Sequence, residues 1–404
     1  MLIRRKMPRM HYPPPWHRIA HHDMLVETTH DERARLDCIA HLNVFAAQRL
    51  APTVKAAFEC KGVAPIDRHE VRQIMERDPA FRAWSLVRRN TMEMRQKTGR
   101  DIVGRQREAL RDKADRLNAS HDSKKSRLYL DPALAVPRYV AAVDQHLMQG
   151  GYTAQWLERD VSNAANYDAG MFATVAGSAG PHNDAAGRAL SDWLRREFPA
   201  FVPERIVDLG CGLGHNTLPL RRLFPAAKII AIDVAAPMLR YGHARARALG
   251  VDDIEFRQED ATRTSLAAHS ADLVFSTMVL HETSHDALPK LLQESHRLLR
   301  GGGLAIHLEQ PPYRGLNPFE QFMRDWDGRY NNEPFWSALH ESDLRQMMTK
   351  AGFGEEHVFE TRCVAPTGQS SKPAEEDFGR APAWYAVGAW QAVEGYALPP
   401  PAKS

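Results

Sequence analysis

Two acidic residues and a glycine turn are the residues of this chain best suited to holding a ligand. Residues 205–214 read RIVDLGCGLG, so an apolar run passes through Asp208 and leads into three glycines that end at Gly214. Glycines leave the main chain free to approach a ligand closely. Asp233 closes the next apolar run, KIIAID, 19 positions after Gly214. A carboxylate so placed can accept hydrogen bonds from both hydroxyls of a ribose, and the pattern therefore predicts a nucleoside-like ligand.

Two details of the sequence distinguish among the ligands that glycine turns bind. Glycine turns after strands also bind nicotinamide, flavin and phosphate groups, or serve only as tight turns. Here an acidic residue, Asp208, precedes the first glycine, and the spacing is G-x-G-x-G without the further glycine of pyrophosphate-binding helices. In these features the chain resembles the class I S-adenosylmethionine-dependent methyltransferases. The resemblance covers about residues 165–391 and points to the small-molecule branch, similar to ubiquinone/menaquinone-type methyltransferases.

The resemblance implies which residues bind S-adenosylmethionine. Asp233 would hold the ribose, and Met238 can pack on one face of the adenine. Asp260 follows the third strand, where an acidic residue of this family reads the adenine amino group; a helix cap or turn residue is the alternative. The full set expected to bind the cofactor is Asp208, Gly210, Cys211, Gly212, Gly214, Asp233, Val234, Met238, Asp260, Ala261 and Thr277.

The methyl transfer itself asks little of the protein. A sulfonium cation already makes its methyl group electrophilic, so positioning of the acceptor and exclusion of water are the main contributions. If the acceptor is an alcohol, a phenol or an acidic carbon, a general base with a matched pKa accelerates the transfer. His281 follows the fourth strand and is the first candidate, ahead of Glu282, His307 and Glu309. The alternative for such a histidine is a hydrogen bond to nearby backbone.

The letters of residues 281–285, HETSH, match the H-E-x-x-H motif of zinc proteases. That motif works only when both histidines lie on one face of a helix. Here it straddles a strand end, and Ser284 is the predicted N-cap of a helix that begins at His285. We therefore predict no metal ion, and leave as the alternative another metal bound by His281, Glu282, His285 or Glu309.

These residues need a parallel sheet to bring them together. Strands and helices alternate with short loops after residue 205, which is typical of a parallel sheet covered on both faces. Ligands of such sheets bind at the carboxyl ends of the strands. The last two strands have only a polar loop between them and predict an antiparallel hairpin. The strands are predicted at 205–209, 228–233, 253–258, 271–276, 303–309, 356–362 and 384–391.

The first 150 residues follow another pattern, because their apolar residues recur at helical spacing and no strand is expected. The fold class is therefore α/β: a seven-stranded, mostly parallel, Rossmann-like methyltransferase sheet with an N-terminal all-helical domain. We expect a helical lid domain at 1–150 and the methyltransferase domain at 165–395. Tyr167, Met171 and Phe172 would complete the lid over the cofactor.

Three further segments have predicted roles. Helix is expected at 137–149, and a flexible loop at 366–383. The aromatic insertion 310–336 predicts either a wall of the acceptor pocket or a local core, and both interpretations stay open.

The composition of the chain indicates the class of protein and the cellular compartment to expect. The chain has 404 residues, of which 43% are hydrophobic and 25% charged, as in ordinary globular proteins. No apolar run is long enough for a membrane span, and no secretory signal is expected at the N-terminus. The four cysteines form no C-x-x-C pair, which favours a reducing cytoplasm without disulfides or a structural zinc.

Charge is unevenly distributed. Residues 1–130 carry 27 Lys and Arg against 16 Asp and Glu, although the whole chain has a net charge of +3. Such a basic segment can contact nucleic acid, but interleaved acidic residues also suit the solvated faces of helices.

We therefore expect a cytoplasmic methyltransferase that modifies an oxygen or carbon of a small-molecule acceptor, with a homodimer left open as its assembly. No N-P-P-[YF] motif, which amino-directed enzymes carry, follows the fourth strand. The alternatives are an RNA methyltransferase that binds through its basic front, a nicotinamide oxidoreductase and a non-catalytic cofactor-binding scaffold.

Overall fold

The computed structural model describes residues 12–119, 127–251, 253–364 and 383–393. Eight strands of the described residues form one sheet in the order β1-β4-β3-β2-β5-β6-β8-β7. The strands are β1 Arg127–Tyr129, β2 Arg205–Leu209, β3 Lys228–Asp233, β4 Ile254–Gln258, β5 Ala271–Thr277, β6 Leu299–Glu309, β7 Val358–Val364 and β8 Ala383–Trp390. The first six are parallel, and β8 runs antiparallel to both of its neighbours, β6 and β7.

Helices cover both faces of this sheet and build the front of the molecule. They are α1 His30–Phe45, α2 Ala51–Glu59, α3 Arg68–Met75, α4 Pro79–Gly104, α5 Arg107–Ala119, α6 Arg138–Ala141, α7 Ser162–Thr174, α8 Ala185–Glu197, α9 Thr217–Leu223, α10 Ala236–Ala248, α11 Leu288–Leu298, α12 Pro318–Arg324, α13 Trp326–Tyr330, α14 Trp336–Glu341 and α15 Leu344–Lys350. Short 3-10 turns lie at Trp16–Arg18, Gln145–Leu147, Leu280–Glu282 and Glu355–His357.

Alternation along the strands explains why the sheet is buried on both sides. In β2, Ile206 packs into one hydrophobic cluster with α8, while its neighbour Val207 packs into another with α11. The chain order reverses between β2 and β5, because β3 and β4 lie on one side of β2 while β5 and β6 lie on the other. Loops diverge at such a point and leave a crevice above the carboxyl ends of the strands.

All seven predicted strands are present, and an eighth comes from the segment expected to be all-helical. Leu128 of β1 lies opposite Phe256 of β4, at the edge of the sheet. Its side chain also packs against the cluster beneath α8 and α10. Three residues are too few to show strand periodicity in a sequence, so this strand depends on the edge that β4 offers.

Two helix predictions need correction. The helix after β5 begins at Leu288, not at His285, because the Ser284 carbonyl accepts bonds from Ala287 and Leu288 and closes a turn first. The helix expected at 137–149 is only α6 and a 3-10 turn, since His146 and Leu147 have φ of +54° and +60°. A right-handed helix does not continue through left-handed residues.

Pro52 interrupts the first long helix as predicted. A π-helical turn at Ala46–Leu50 separates α1 from α2 immediately before it, since proline lacks the amide hydrogen of a regular helix. The predicted loop at 366–383 lies outside the described residues, except for Ala383, which opens β8.

The aromatic insertion is a local core, as one of its two interpretations stated. Phe319 and Phe322 of α12 pack with Trp326 against apolar residues of α2, α3 and α4. The ring of Trp84 meets that of Trp326 edge-on at 5.8 Å. The front helices are therefore joined to the C-terminal half by an apolar contact.

None of the helices in the described part of the chain combines the length and apolar character needed to cross a bilayer.

Candidate functional site

The glycine turn after β2 forms the floor of the crevice. Gly210, Gly212 and Gly214 have φ of +77°, +53° and +72°, a region that favours glycine. A Cβ on Gly210 would lie 2.7 Å from Val279, whereas one on Gly212 would meet nothing within 4 Å. Gly210 thus permits close packing, and Gly212 keeps the main chain open to a ligand.

Asp233 at the end of β3 is joined to this turn. Its Oδ2 accepts a hydrogen bond from Gly212 N, and its Oδ1 accepts one from Ala235 N, both at 2.8 Å. Burial raises the pKa of Asp233, although these backbone donors oppose the shift. The carboxylate is thereby fixed where the turn and the crevice meet.

A cavity of about 570 Å³ opens above these strand ends. Nine of the eleven residues predicted to bind the cofactor line it, so the sequence identified one side of the cavity. They are Gly210, Cys211, Gly212, Asp233, Val234, Met238, Asp260, Ala261 and Thr277. Asp260 also accepts a hydrogen bond from Thr262 N at 2.8 Å, so the carboxylate caps a turn while it faces the cavity.

The other two predicted residues lie behind the wall. Asp208 is buried, and its Oδ2 accepts a hydrogen bond from the Thr217 hydroxyl at 2.5 Å. Burial raises the pKa of Asp208 to about 7. Gly214 faces the ring of Phe256, which a Cβ would approach to 3.2 Å. Both residues therefore support the turn from below.

Aromatic and apolar side chains complete the cavity wall; Tyr167 and Met171 among them were predicted as lid residues, whereas Tyr139 and Tyr152 were not predicted. Tyr139 and Tyr152 come from the segment after β1, and Tyr167 and Met171 come from α7. The rings of Tyr152 and Tyr167 meet at 5.8 Å. Tyr139, within the predicted helix at 137–149, and Tyr152, just after it, gave no sequence signal for a pocket. Of the predicted lid residues, Phe172 is buried in a core cluster and is not on the wall.

Glu282 is the catalytic candidate that the structure places on the cavity wall. Its Oε1 accepts a hydrogen bond from the Tyr152 hydroxyl at 2.9 Å and lies 3.5 Å from His146 Nε2. Burial alone would raise the pKa of Glu282, but the neighbouring His146 and His281 lower it. The carboxylate is therefore ionised at neutral pH.

His146 also contacts Glu333, which lies in the loop before α14. His146 Nδ1 is 2.7 Å from Glu333 Oε1. Burial alone would lower the pKa of His146, but Glu333 and Glu282 raise it to about 10. These three side chains form a group that we call the His146 cluster.

His281 lies next to this cluster rather than on the cavity wall. Its Nδ1 is 2.7 Å from Glu309 Oε1, and its ring meets that of Trp336 at 5.1 Å. Burial alone would lower the pKa of His281, but Glu309 raises it to about 9. A histidine with this pKa is protonated at neutral pH, which makes it a weak general base.

His307 is not brought to the cavity. It lies within β6, fully buried, with Nδ1 2.8 Å from the Ser276 hydroxyl. Burial lowers the pKa of His307 to about 4. The alternative in the sequence analysis was a hydrogen bond to nearby backbone, whereas His307 contacts a side-chain hydroxyl.

The H-E-x-x-H letters do not form a zinc-protease site. His281 lies in a 3-10 turn and His285 is exposed in the following loop, so they share no helical face. Within the described residues, the candidate metal-binding group is the His146 cluster, of which sequence analysis had named only Glu282.

The front of the chain is tied to the glycine turn through Asp168 of α7. Its carboxylate lies 2.7 Å from His215 Nε2, at the end of the turn, and 3.1 Å from His22 Nε2. The Tyr241 hydroxyl donates to it at 2.8 Å, and Arg245 Nε lies 3.2 Å away. These charges hold the pKa of Asp168 well below its usual range despite burial.

Comparison with known proteins agrees with this architecture. Residues 206–303 match the family described as "Methyltransferase domain". The chain is 38% identical to a malonyl-[acyl-carrier protein] O-methyltransferase of Methylococcus capsulatus, over 29% of this chain and 40% of that protein. It is 35% identical to a trans-aconitate 2-methyltransferase of Methylobacterium nodulans, over 37% and 54%. It is 31% identical to a demethylmenaquinone methyltransferase of Thermus thermophilus, over 35% and 65%.

The chain spans about half the length of these curated relatives. The matched segment contains the glycine turn, Asp233 and Glu282. Residues 206–303 therefore form a methyltransferase domain.

Proposed function

We propose that the protein binds S-adenosylmethionine in the cavity and transfers its methyl group to an oxygen or carbon of a small-molecule acceptor. The observation that carries this proposal is a single cavity lined both by the Gly212 turn with Asp233 and by Tyr152 with Glu282. The first pair suits a nucleoside, and the second suits a neutral acceptor with an acidic proton.

The residues present fit the cofactor. Nothing lies within 4 Å of the position that a Cβ on Gly212 would take, so the main chain there can approach the cofactor closely. Asp233 can accept hydrogen bonds from a ribose. Met238 and Ala261 offer apolar contacts to a base, with Asp260 as an acceptor for an amino group. When bound, the cofactor supplies an electrophilic methyl group on a sulfonium.

Glu282 is the proposed catalytic residue. Its carboxylate is ionised, lines the cavity and is held by the Tyr152 hydroxyl, so it can accept a proton from an acceptor hydroxyl or acidic carbon. His281 has the proposed role of a positioning residue, because its protonated ring lies 3.9 Å from Glu282 Oε1 and is itself fixed by Glu309.

The helical front has the proposed role of a lid. Tyr139, Val140 and Tyr152 reach the cavity from residues before 165, and the apolar walls they complete exclude water. The predominance of apolar and aromatic lining favours a small organic acceptor over a polynucleotide. The names of the relatives, which include an O-methyltransferase, support the same class.

Substitution of Asp233 tests the cofactor site. We expect Asp233→Ala to weaken binding of S-adenosylhomocysteine by about 10- to 100-fold, because two hydrogen bonds to a charged acceptor are lost. Titration calorimetry measures the affinity, and circular dichroism checks the fold, since Asp233 also holds Gly212 and Ala235. Asp286→Ala, at an exposed position, is the control. An Asp233→Ala protein that is folded and binds as tightly as the original would overturn the proposal.

The acceptor class is tested by methyl transfer from labelled cofactor to a metabolite extract. Label in small molecules, absent in Glu282→Gln, is the expected result. An RNA acceptor, the alternative that the basic front raised, would instead give labelled RNA and binding that weakens steeply with salt.

A further inference from the structure

The His146 cluster brings together donor atoms from three distant segments. His146 lies in the 3-10 turn after α6, Glu282 in the turn after β5, and Glu333 between α13 and α14. One donor atom from each side chain lies within 4.8 Å of the others. Imidazole and carboxylate are the ligands that divalent transition metals take in proteins.

Glu333 carries the strongest sign that this group binds a cation. Its side chain is 1% exposed, and neither carboxylate oxygen accepts a hydrogen bond from a donor among the described residues. His146 Nδ1 lies 2.7 Å from Oε1 but outside hydrogen-bonding geometry. A buried carboxylate without donors is costly unless a cation compensates its charge.

His281 adds an independent feature. Its Nδ1 is held by Glu309 at 2.7 Å, which directs Nε2 to within 3.9 Å of Glu282 Oε1. The His281 ring thereby positions the Glu282 carboxylate within the cluster.

We propose that His146, Glu282 and Glu333 bind a divalent transition-metal cation beside the cavity. The mixed nitrogen and oxygen donors favour Mn²⁺, Fe²⁺ or Zn²⁺ over Ca²⁺ and Mg²⁺, which prefer oxygen alone. Glu282 also lines the cavity, so the cation would stand where it polarises an acceptor oxygen. That consequence rests on the proposed function, whereas the binding itself does not.

Metal titration of the full chain tests this site. After treatment with a chelator and removal of it, the protein is titrated with MnCl₂ and with ZnCl₂, followed by calorimetry and by the electron paramagnetic resonance of free Mn²⁺. We expect about one tight equivalent per chain. Glu333→Gln and His146→Gln should each weaken the affinity at least tenfold.

Glu294→Gln is the matched control. Glu294 is also a buried carboxylate, but its Oε1 already accepts hydrogen bonds from the Thr264 amide and hydroxyl. We expect unchanged metal affinity in this variant. Circular dichroism confirms that each variant is folded, and the titration of the unsubstituted protein does not depend on any variant.

Two results would overturn the inference. The first is that chelator-treated protein, although folded, binds neither Mn²⁺ nor Zn²⁺ at millimolar concentration. The imidazolium of His146 would then be the only positive charge that balances the carboxylates of the cluster. The other is affinity that is unchanged in both the Glu333→Gln and His146→Gln proteins. Binding of S-adenosylhomocysteine is measured separately in the presence of chelator, so failure of the metal site and failure of the methyltransferase proposal are distinguishable.

Discussion

Asp208 is a residue of the glycine motif that is buried behind the turn rather than on the cavity wall. One of its carboxylate oxygens accepts a hydrogen bond from Thr217, and the other has no hydrogen-bond donor among the described residues. Because burial raises its pKa to about 7, the protonated acid is the favoured form below neutral pH in the folded state. The sequence motif alone does not reveal this protonation state.

A pH dependence of stability follows from this residue. The folded pKa of about 7 lies above the unfolded value of about 3.9, so the contribution is fully present below pH 4 and is lost as pH rises through 7. Relative to Asp208→Asn, the free energy of unfolding should fall by on the order of 3–4 kcal/mol between pH 4 and pH 7. Urea denaturation at several pH values measures it.

Asp286→Asn, at an exposed position, provides the control for that measurement and should leave the pH profile unchanged. Parallel profiles for the unsubstituted protein and Asp208→Asn would contradict a raised pKa at Asp208.

At the scale of elements, helices α4 and α7 meet through reciprocal glycines. A Cβ on Gly99 of α4 would lie 1.8 Å from Asn166 Oδ1 of α7, and a Cβ on Gly170 of α7 would lie 2.3 Å from Arg95 Nε of α4. Each glycine thus admits a polar side chain of the partner helix. The contact matters for the site because α7 carries Tyr167 and Met171 to the cavity wall.

Gly99→Ala tests this contact. We expect it to lower the free energy of unfolding by about 1–3 kcal/mol, because the added methyl group collides with a buried side chain. Gly104→Ala, in the same helix but with nothing within 4 Å, should be neutral or stabilise by up to about 1 kcal/mol. Urea denaturation compares the two. Equal free energies of unfolding for the two variants would mean that α4 and α7 move apart without a loss of stability, which would contradict this prediction.

Over the whole molecule, the uneven charge of the sequence is partly balanced across the contact between front and insertion. Arg68 and Arg72 of α3 pair with Asp325, and Arg88 of α4 pairs with Asp327. Arg88 also lies over the Trp326 ring at 4.2 Å. Part of the basic front therefore serves the fold, which weakens the nucleic-acid interpretation of its charge.

A double-mutant cycle measures one of these pairs. Arg88 Nη2 is 2.9 Å from Asp327 Oδ2, and both side chains are largely buried. We expect Asp327→Asn alone to destabilise by about 3–5 kcal/mol, since it removes the carboxylate that pairs with the largely buried Arg88, and Arg88→Met with Asp327→Asn to destabilise by less than the sum of the two single substitutions. The exposed pair Arg89–Glu93 on the same helix should give a coupling of only about 0.3–0.5 kcal/mol. Similar couplings for the two pairs would contradict a buried interface.

The sequence by itself determined seven of the eight described strands, the glycine turn and nine residues of the cavity wall. A strand such as KIIAID is buried on both faces and therefore appears in the sequence as an apolar run. The turn needs positive φ at Gly210, Gly212 and Gly214, so glycine at these positions also identifies it in the sequence. For the same reason Asp233 and Asp260 could be placed from their position after a strand.

Only the tertiary structure decided which residues surround Glu282. Four residues that are far apart in the chain meet here: His146, Tyr152, Glu282 and Glu333. Their contacts depend on how the front segment and the insertion pack. β1 likewise exists because β4 offers an edge. Local periodicity does not reveal such long-range partners, because their interactions form only when separate elements meet.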